Sequence, residues 1–262
     1  AVGVTDEEHI CMIAGNWSIN EYIGKAPVTD GSVLMNSFFC LPGYYLIEEC
    51  SPTSAGNNEW FMKNLLPELR EECKKNGTNI YEQMNQWVEE ISPEEFCPVY
   101  LPFLMASNVH PNACGSFVGI SNFHTRKHLL RSVYEGVTFC HRYHLEKLLS
   151  TRKEPPKSIR LAGGAARSSM WTQMFADVMK LPVESVQVNE TGAFGCALIG
   201  AAACGDYKDV GEAADKMCRI SEPVLPDPAR SAVYDEKYRL YCKTIEALDG
   251  LWDSLQDYRD RH

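Results

Sequence analysis

Residues 158–205 constrain the fold more than any other stretch of the chain. "SIRLAGG" (158–164) is short and apolar and reads as a strand. "SMWTQMFADVMK" (169–180) has helical spacing, "PVESVQV" (182–188) reads as another strand, and "GAFGCALIGAAACG" (192–205) as a helix of small residues. A β–loop–α–β–α succession favours an α/β fold, a sheet flanked by helices. The first strand runs into Gly163, Gly164, Ala165, Ala166 and Arg167 before Ser168 and Ser169 open the helix. Glycines at a strand end let a ligand approach the backbone, and a helix N-terminus favours negative charge. An ordinary turn with Ser168 or Ser169 as N-cap would read the same way. The stretch is neither GxGxxG nor GxxxxGK[ST].

Upstream, "HICMIAG" (9–15) predicts a buried strand, "NWSINEYIG" (16–24) a turn and a strand, and "YYLIEEC" (44–50) a third strand. Helical period runs over 57–77, where Pro67 divides or kinks it, and again over 79–91. Residues 98–120, rich in Pro, Gly and Asn, read as one long loop. "TRKHLLRSVYEGVTFCHRYHLEKLL" (125–149) is the longest helical pattern, with Leu129, Leu130, Val133, Val137, Phe139 and Cys140 on its buried side. The tail from Tyr234 reads as a final amphipathic helix.

Composition narrows the function classes. With 262 residues, 45% of them hydrophobic, the chain can bury one large domain or two small ones. A net charge of −10 argues against nonspecific nucleic-acid binding. No apolar run approaches the ~20 residues of a membrane span. Eleven cysteines without a CxxC pair, among them Cys11, Cys140, Cys196 and Cys204 in apolar runs, read as reduced, buried thiols of a cytoplasmic protein. The chain begins at Ala1 and enters a strand almost at once, as expected of a fragment that lacks its upstream part.

Other constellations admit bland readings. The turn Gly15-Asn16-Trp17-Ser18 could offer N–H and side-chain donors to phosphate, or simply join two strands. The small helix carrying Gly192, Gly195 and Gly200 could pack closely on a neighbour or on a ligand. His124/His128 and His141/His144 have helical spacing but no evident third ligand, and read as surface or capping histidines.

Taken in order, these segments resemble the carboxy-terminal half of the FGGY carbohydrate kinases. "LAGGAARSSMWTQMFADVMKLPV" is similar to that family's GGGA-R-S-x-x-W-x-Q-M-x-A-D-V stretch, and 125–148 to its R-x-H-L-x-R-A-x-x-E-G-I-A-F helix. "TGAFGCALIGAAACG" is similar to the alanine-rich helix that follows. "NWSINEY" and "SPTSAGNNEWF" look most like the pentulose kinases, the L-xylulose branch in particular. The resemblance implies an actin-like, ribonuclease-H-like ATPase domain over residues 1–262, with an amino-terminal sugar-binding domain missing from this chain. ATP and Mg²⁺ are the implied cofactors, a sugar the implied substrate, and a homodimer is compatible with it.

Carried over by position, Gly163, Gly164 and Ala165 would lie against adenine and ribose, and Ser168 would reach the base edge. Gly15 and Asn16 match the turn that contacts the transferred phosphates, with Asn16 replacing the family's threonine. Gly56 and Asn57 match the loop flanking the phosphates. The catalytic Asp would fall before Ala1, so no catalytic residue is assigned within the chain. A stand-alone nucleotide-binding regulator of the same superfamily is the alternative.

Overall fold

Strand β1 (His9–Ala14) is the strand around which the sheet is built. The computed structural model describes residues 1–188 and 190–262. β1 pairs antiparallel with β2 (Ser18–Gly24) on one side and parallel with β7 (Ser158–Gly163) on the other. β4 (Tyr45–Ser51) and the short edge strand β3 (Met35–Phe38) extend the antiparallel side, and β8 (Val183–Ser185) extends the parallel side. The order is β3-β4-β2-β1-β7-β8, a mixed sheet. β5 (Val99–Leu101) and β6 (Ser116–Val118) form a separate two-stranded ribbon.

The helices are α1 (Gly56–Leu65), α2 (Pro67–Asn76), α3 (Ile80–Glu89), α4 (Arg126–Ser150), α5 (Ser169–Met179), α6 (Thr191–Ala203), α7 (Val210–Met217), α8 (Pro228–Leu248) and α9 (Trp252–Arg261). Pro67 separates α1 from α2, where its ring favours the first turn of a new helix. Side-chain alternation in β1 sends Ile10, Met12 and Ala14 into the main core under α1, α4, α5 and α8. Cys11 and Ile13 face the thinner opposite layer with Val2, Val4 and Leu46.

Three expectations are corrected. Residues 98–120 are not one loop: Tyr100 and Phe117 pair across β5 and β6, their rings 4.5 Å apart. β5 also lies so close to α4 that a Cβ on Gly136 would sit 2.4 Å from the Tyr100 carbonyl oxygen. Cys196 and Cys204 are exposed, because α6 buries only Leu198. His141 and His144 are core residues, 0% and 1% exposed, because α4 is buried on every side from Leu130 to His141. His124 and His128 do cap: His128 Nδ1 accepts from the Thr125 N–H at 3.1 Å, and His124 Nδ1 from the Ser121 N–H at 2.8 Å. β3 and α7 carried no recognisable signal, since each is short and mostly polar or exposed.

The two buried histidines lie in one polar network beneath β2 and β4. Asn20 Nδ2 donates to the Glu49 carbonyl, which leaves its Oδ1 to accept from His141 Nδ1 at 3.0 Å. His141 Nε2 then accepts from the Ser54 hydroxyl at 3.0 Å. This network holds the loop that leads into α1. Complete burial lowers the His141 pKa to about 3, so the ring is neutral. Burial alone would also lower His144, but hydrogen bonds to Cys140 and to the Glu49 carboxylate, 3.0 Å away, lift it to about 9.

The two shifts have opposite linkage. Between about pH 3 and the ordinary histidine value of 6.5, the unfolded chain takes up a proton that folded His141 refuses, so stability falls as pH falls. The His144 contribution is complete below 6.5 and is lost as pH rises towards 9. Denaturation midpoints are therefore expected to decline on both sides of about pH 6.5. Glu49→Gln should flatten the alkaline side alone; an alkaline limb unchanged in the variant would contradict the His144 assignment.

Candidate functional site

The two parallel strands at the centre of the sheet end side by side, with Ala14 opposite Gly163. At that edge the chain leaves β1 by a tight turn into β2 and leaves β7 through one 3₁₀ turn (Gly164–Arg167) into α5. Open α/β sheets place ligands outside the carboxyl ends of their strands. A cleft of about 430 Å³ lies here, within the range of small-molecule sites.

Five residues expected from sequence line this cleft together: Gly15, Asn16, Gly56, Gly164 and Ser168. The Gly15 N–H is already used inside the turn, donating to Trp17 O at 3.2 Å. The Ser168 hydroxyl caps α5, accepting from the Trp171 N–H at 3.2 Å. α1 starts without a side-chain cap; its N-cap Ala55 and first residue Gly56 border the cleft, while the Asn57 and Asn58 N–H groups donate to Ser54 O and Ala55 O, both at 3.0 Å.

The other three expected residues do not line it. Ala165 is fully buried in the main core. Gly163 has φ +87° and ψ −165°, a region reserved for glycine, and a Cβ there would lie 2.4 Å from the Ala14 carbonyl oxygen. Its role is to bring β1 and β7 together at their ends. Asn57 is 1% exposed, with its amide fully engaged. Its Nδ2 donates to Thr53 Oγ1 and Ser54 O, both at 2.7 Å, and its Oδ1 accepts from the Tyr100 hydroxyl. The neighbouring Asn58 faces the cleft instead.

Sequence reasoning missed the floor and the far wall. The floor is Tyr134 from α4 against Trp171 from α5, ring centroids 4.4 Å apart. Trp171 Nε1 donates to Thr138 Oγ1 at 2.9 Å, which anchors the indole to α4. The Tyr134 hydroxyl donates to Asn85 Oδ1 at 3.1 Å, and burial raises its pKa. Asn79, Tyr81, Glu82 and Asn85 come from the start of α3. Trp171 was inside the signature stretch and could have been found there; α3 reaches the site only through tertiary packing. Arg167 lies at the rim, 3.6 Å from Glu190. Glu59, also lining the cleft, has its pKa lowered by a hydrogen bond from Lys63.

A mixed sheet flanked by helices, with a glycine-bordered cleft at the ends of its central parallel strands, defines an actin-like ATPase domain. The chain belongs to the FGGY family of carbohydrate kinases: the model of that family's C-terminal domain matches residues 10–204. It is 32% identical over 258 residues to the L-xylulose/3-keto-L-gulonate kinase of Escherichia coli strain K12, covering 98% of this chain and 49% of that protein. It is also 32% identical over 253 residues to the probable L-xylulose kinase of Pasteurella multocida, covering 95% of this chain and 48% of that protein. The crystal structure of xylulose kinase from Rhodospirillum rubrum matches with a TM-score of 0.82 at 26% identity, covering 96% of this chain and 49% of that one. The chain thus spans about half the length of the curated relatives it matches.

The two adjacent glycines should separate in a stability experiment. Gly163→Ala is expected to cost about 3 kcal/mol, from backbone strain and overpacking against Ala14. Gly164→Ala should stay within about 1 kcal/mol of the parent, since its Cβ would meet only Ala14 O, at 3.9 Å. Urea denaturation of both variants checks this, and equal losses would contradict the division of roles.

Proposed function

We propose that this chain is the ATP-binding half of a carbohydrate kinase that transfers the γ-phosphoryl group of ATP to a hydroxyl of a pentulose such as L-xylulose. The cleft carries the proposal: bare backbone at Gly164, the N-terminal turn of α1 at Gly56 and an aromatic floor suit a nucleotide. The pentulose-kinase relatives supply the substrate class. Gly15, Asn16 and Gly56 would lie towards the phosphates, and Gly164 and Ser168 towards ribose and base. Mg²⁺ would come with the nucleotide, since it takes most of its ligands from phosphate and water.

The chemistry asks little covalent participation of the protein. Positioning and electrostatics dominate phosphoryl transfer, with a carboxylate accepting the sugar's proton. That carboxylate and most sugar contacts would belong to an upstream domain. Helix α6 offers that domain a surface: Thr191–Ala203 contains no charged residue and buries only Leu198. Closure of the two halves would exclude water and favour transfer to sugar over hydrolysis. Eleven free cysteines fit a reducing cytoplasm. Among the described residues no helix is long and apolar enough to cross a membrane.

The chain alone is expected to bind Mg-ADP weakly, with amide NMR shifts centred on Gly15, Asn16, Gly164 and Ser168, and to release no ADP on addition of sugar. Sugar-dependent ADP release should require the upstream half. Gly164→Trp should abolish the shifts while leaving the circular dichroism spectrum unchanged. Robust turnover by the isolated chain would overturn the division of labour. A folded Gly164→Trp variant with undiminished affinity would overturn the site. Nucleotide binding without any sugar-dependent turnover in the joined protein would favour a regulatory module instead.

A further inference from the structure

Asn58 is 3% exposed, lies on the first turn of α1 and lines the cleft, yet its Oδ1 is buried with no hydrogen-bond partner. A buried amide oxygen left unpaired costs on the order of a tenfold change in an equilibrium constant or more, and such atoms are rare in folded proteins. Tyr134 gives its hydroxyl proton to Asn85 Oδ1. The Asn58 side chain lies beside Tyr134 in the lining of the cleft. The orphaned atom is the amide oxygen, an acceptor.

We propose that Asn58 selects the nucleobase, its Oδ1 accepting a hydrogen bond from the 6-amino group of a bound purine nucleotide. The inference rests on the nucleotide-binding reading above and adds to it the group that discriminates. Phosphates carry only acceptors and cannot satisfy this atom. Ribose hydroxyls both donate and accept, so a lone acceptor would confer no selectivity through them. A planar ring suits the aromatic pair Tyr134–Trp171 beside Asn58. On such a ring an amino group completes the network, whereas a 6-oxo group sets oxygen against buried oxygen. A site built to pair a hydrogen-bonding group rejects the analogue that lacks it, because its own polar atom is then stranded.

The test is calorimetric titration of the full-length protein with ADP and with IDP, which replaces the 6-amino group by oxygen. The wild type is expected to favour ADP by about tenfold or more. Asn58→Leu, close in shape, should weaken ADP about tenfold and leave IDP nearly unchanged, so that the preference disappears. Asn58→Ala should give the same loss of preference without added bulk, and decides the matter where Asn58→Leu does not fold. A parallel loss for both nucleotides, or a wild-type ratio near one, would overturn the proposal by assigning Asn58 a structural role alone. A wild type that binds neither nucleotide would overturn the nucleotide reading itself, and this inference with it.

Discussion

Helix α4 can exist only if its buried charge is fully satisfied, and the rest of the molecule is arranged to do so. Arg131 is 3% exposed. Its Nε donates to Glu135 at 2.8 Å, one terminal nitrogen donates to Val88 O and Ile91 O, and the other to the Tyr234 hydroxyl. Lys237 of α8 shares the Glu135 carboxylate at 2.9 Å. Removing a partner from such a group strands a charge in low dielectric, which costs far more than the pair itself contributes. The carbonyls of Val88 and Ile91 lie at the end of α3, where helices leave acceptors without partners. One guanidinium thus fixes the end of α3 and the flank of α8 against α4. Since Asn79, Tyr81, Glu82 and Asn85 lie at the beginning of α3, the far wall of the cleft is set by a charge buried in the core.

What could be read from the sequence was local. The β7–turn–α5 unit declares itself because strand, glycines, cap and helix are consecutive. The break at Pro67 follows from the proline ring alone. The burial of His141 and His144 could not be read, because it depends on Asn20, Glu49 and Ser54 brought in from other elements. The choice between Asn57 and Asn58 is of the same kind. Both are buried amides in one helical turn, and the Tyr100 hydroxyl, arriving from β5, decides which is engaged in the core and which lines the cleft. Gly163 and Gly164 look interchangeable until β1 is placed alongside; then Ala14 claims the first, and the second is left to the cleft.

Helix α6 shows the same limit from the other side. Its composition is apolar all round, which in an isolated domain predicts a buried helix. Here it packs on α7 through a small cluster of Leu198, Ala213 and Ala214, and Ile199 remains 51% exposed. An interface with the proposed upstream domain would keep its apolar character whether or not that domain is present. The mismatch between composition and burial is informative in a chain about half as long as its relatives.

On the proposed reading, electrostatics predicts that this chain binds a nucleotide only weakly on its own. Glu59, Glu82 and Arg167 are the charged residues lining the cleft, so side chains offer a polyphosphate no excess of positive charge. The protein as a whole carries −10. What remains is fixed dipole: the N-terminal turn of α1, which has no side-chain cap and is worth about half an elementary charge at close range. Such a dipole orients an anion without holding it strongly in water, and its effect grows once water is excluded. A divalent cation travelling with the nucleotide and a second domain closing over it would supply both the missing charge and the low dielectric. Tight binding would then arise only when both substrates are present, the condition under which phosphate is passed to a sugar rather than lost to water.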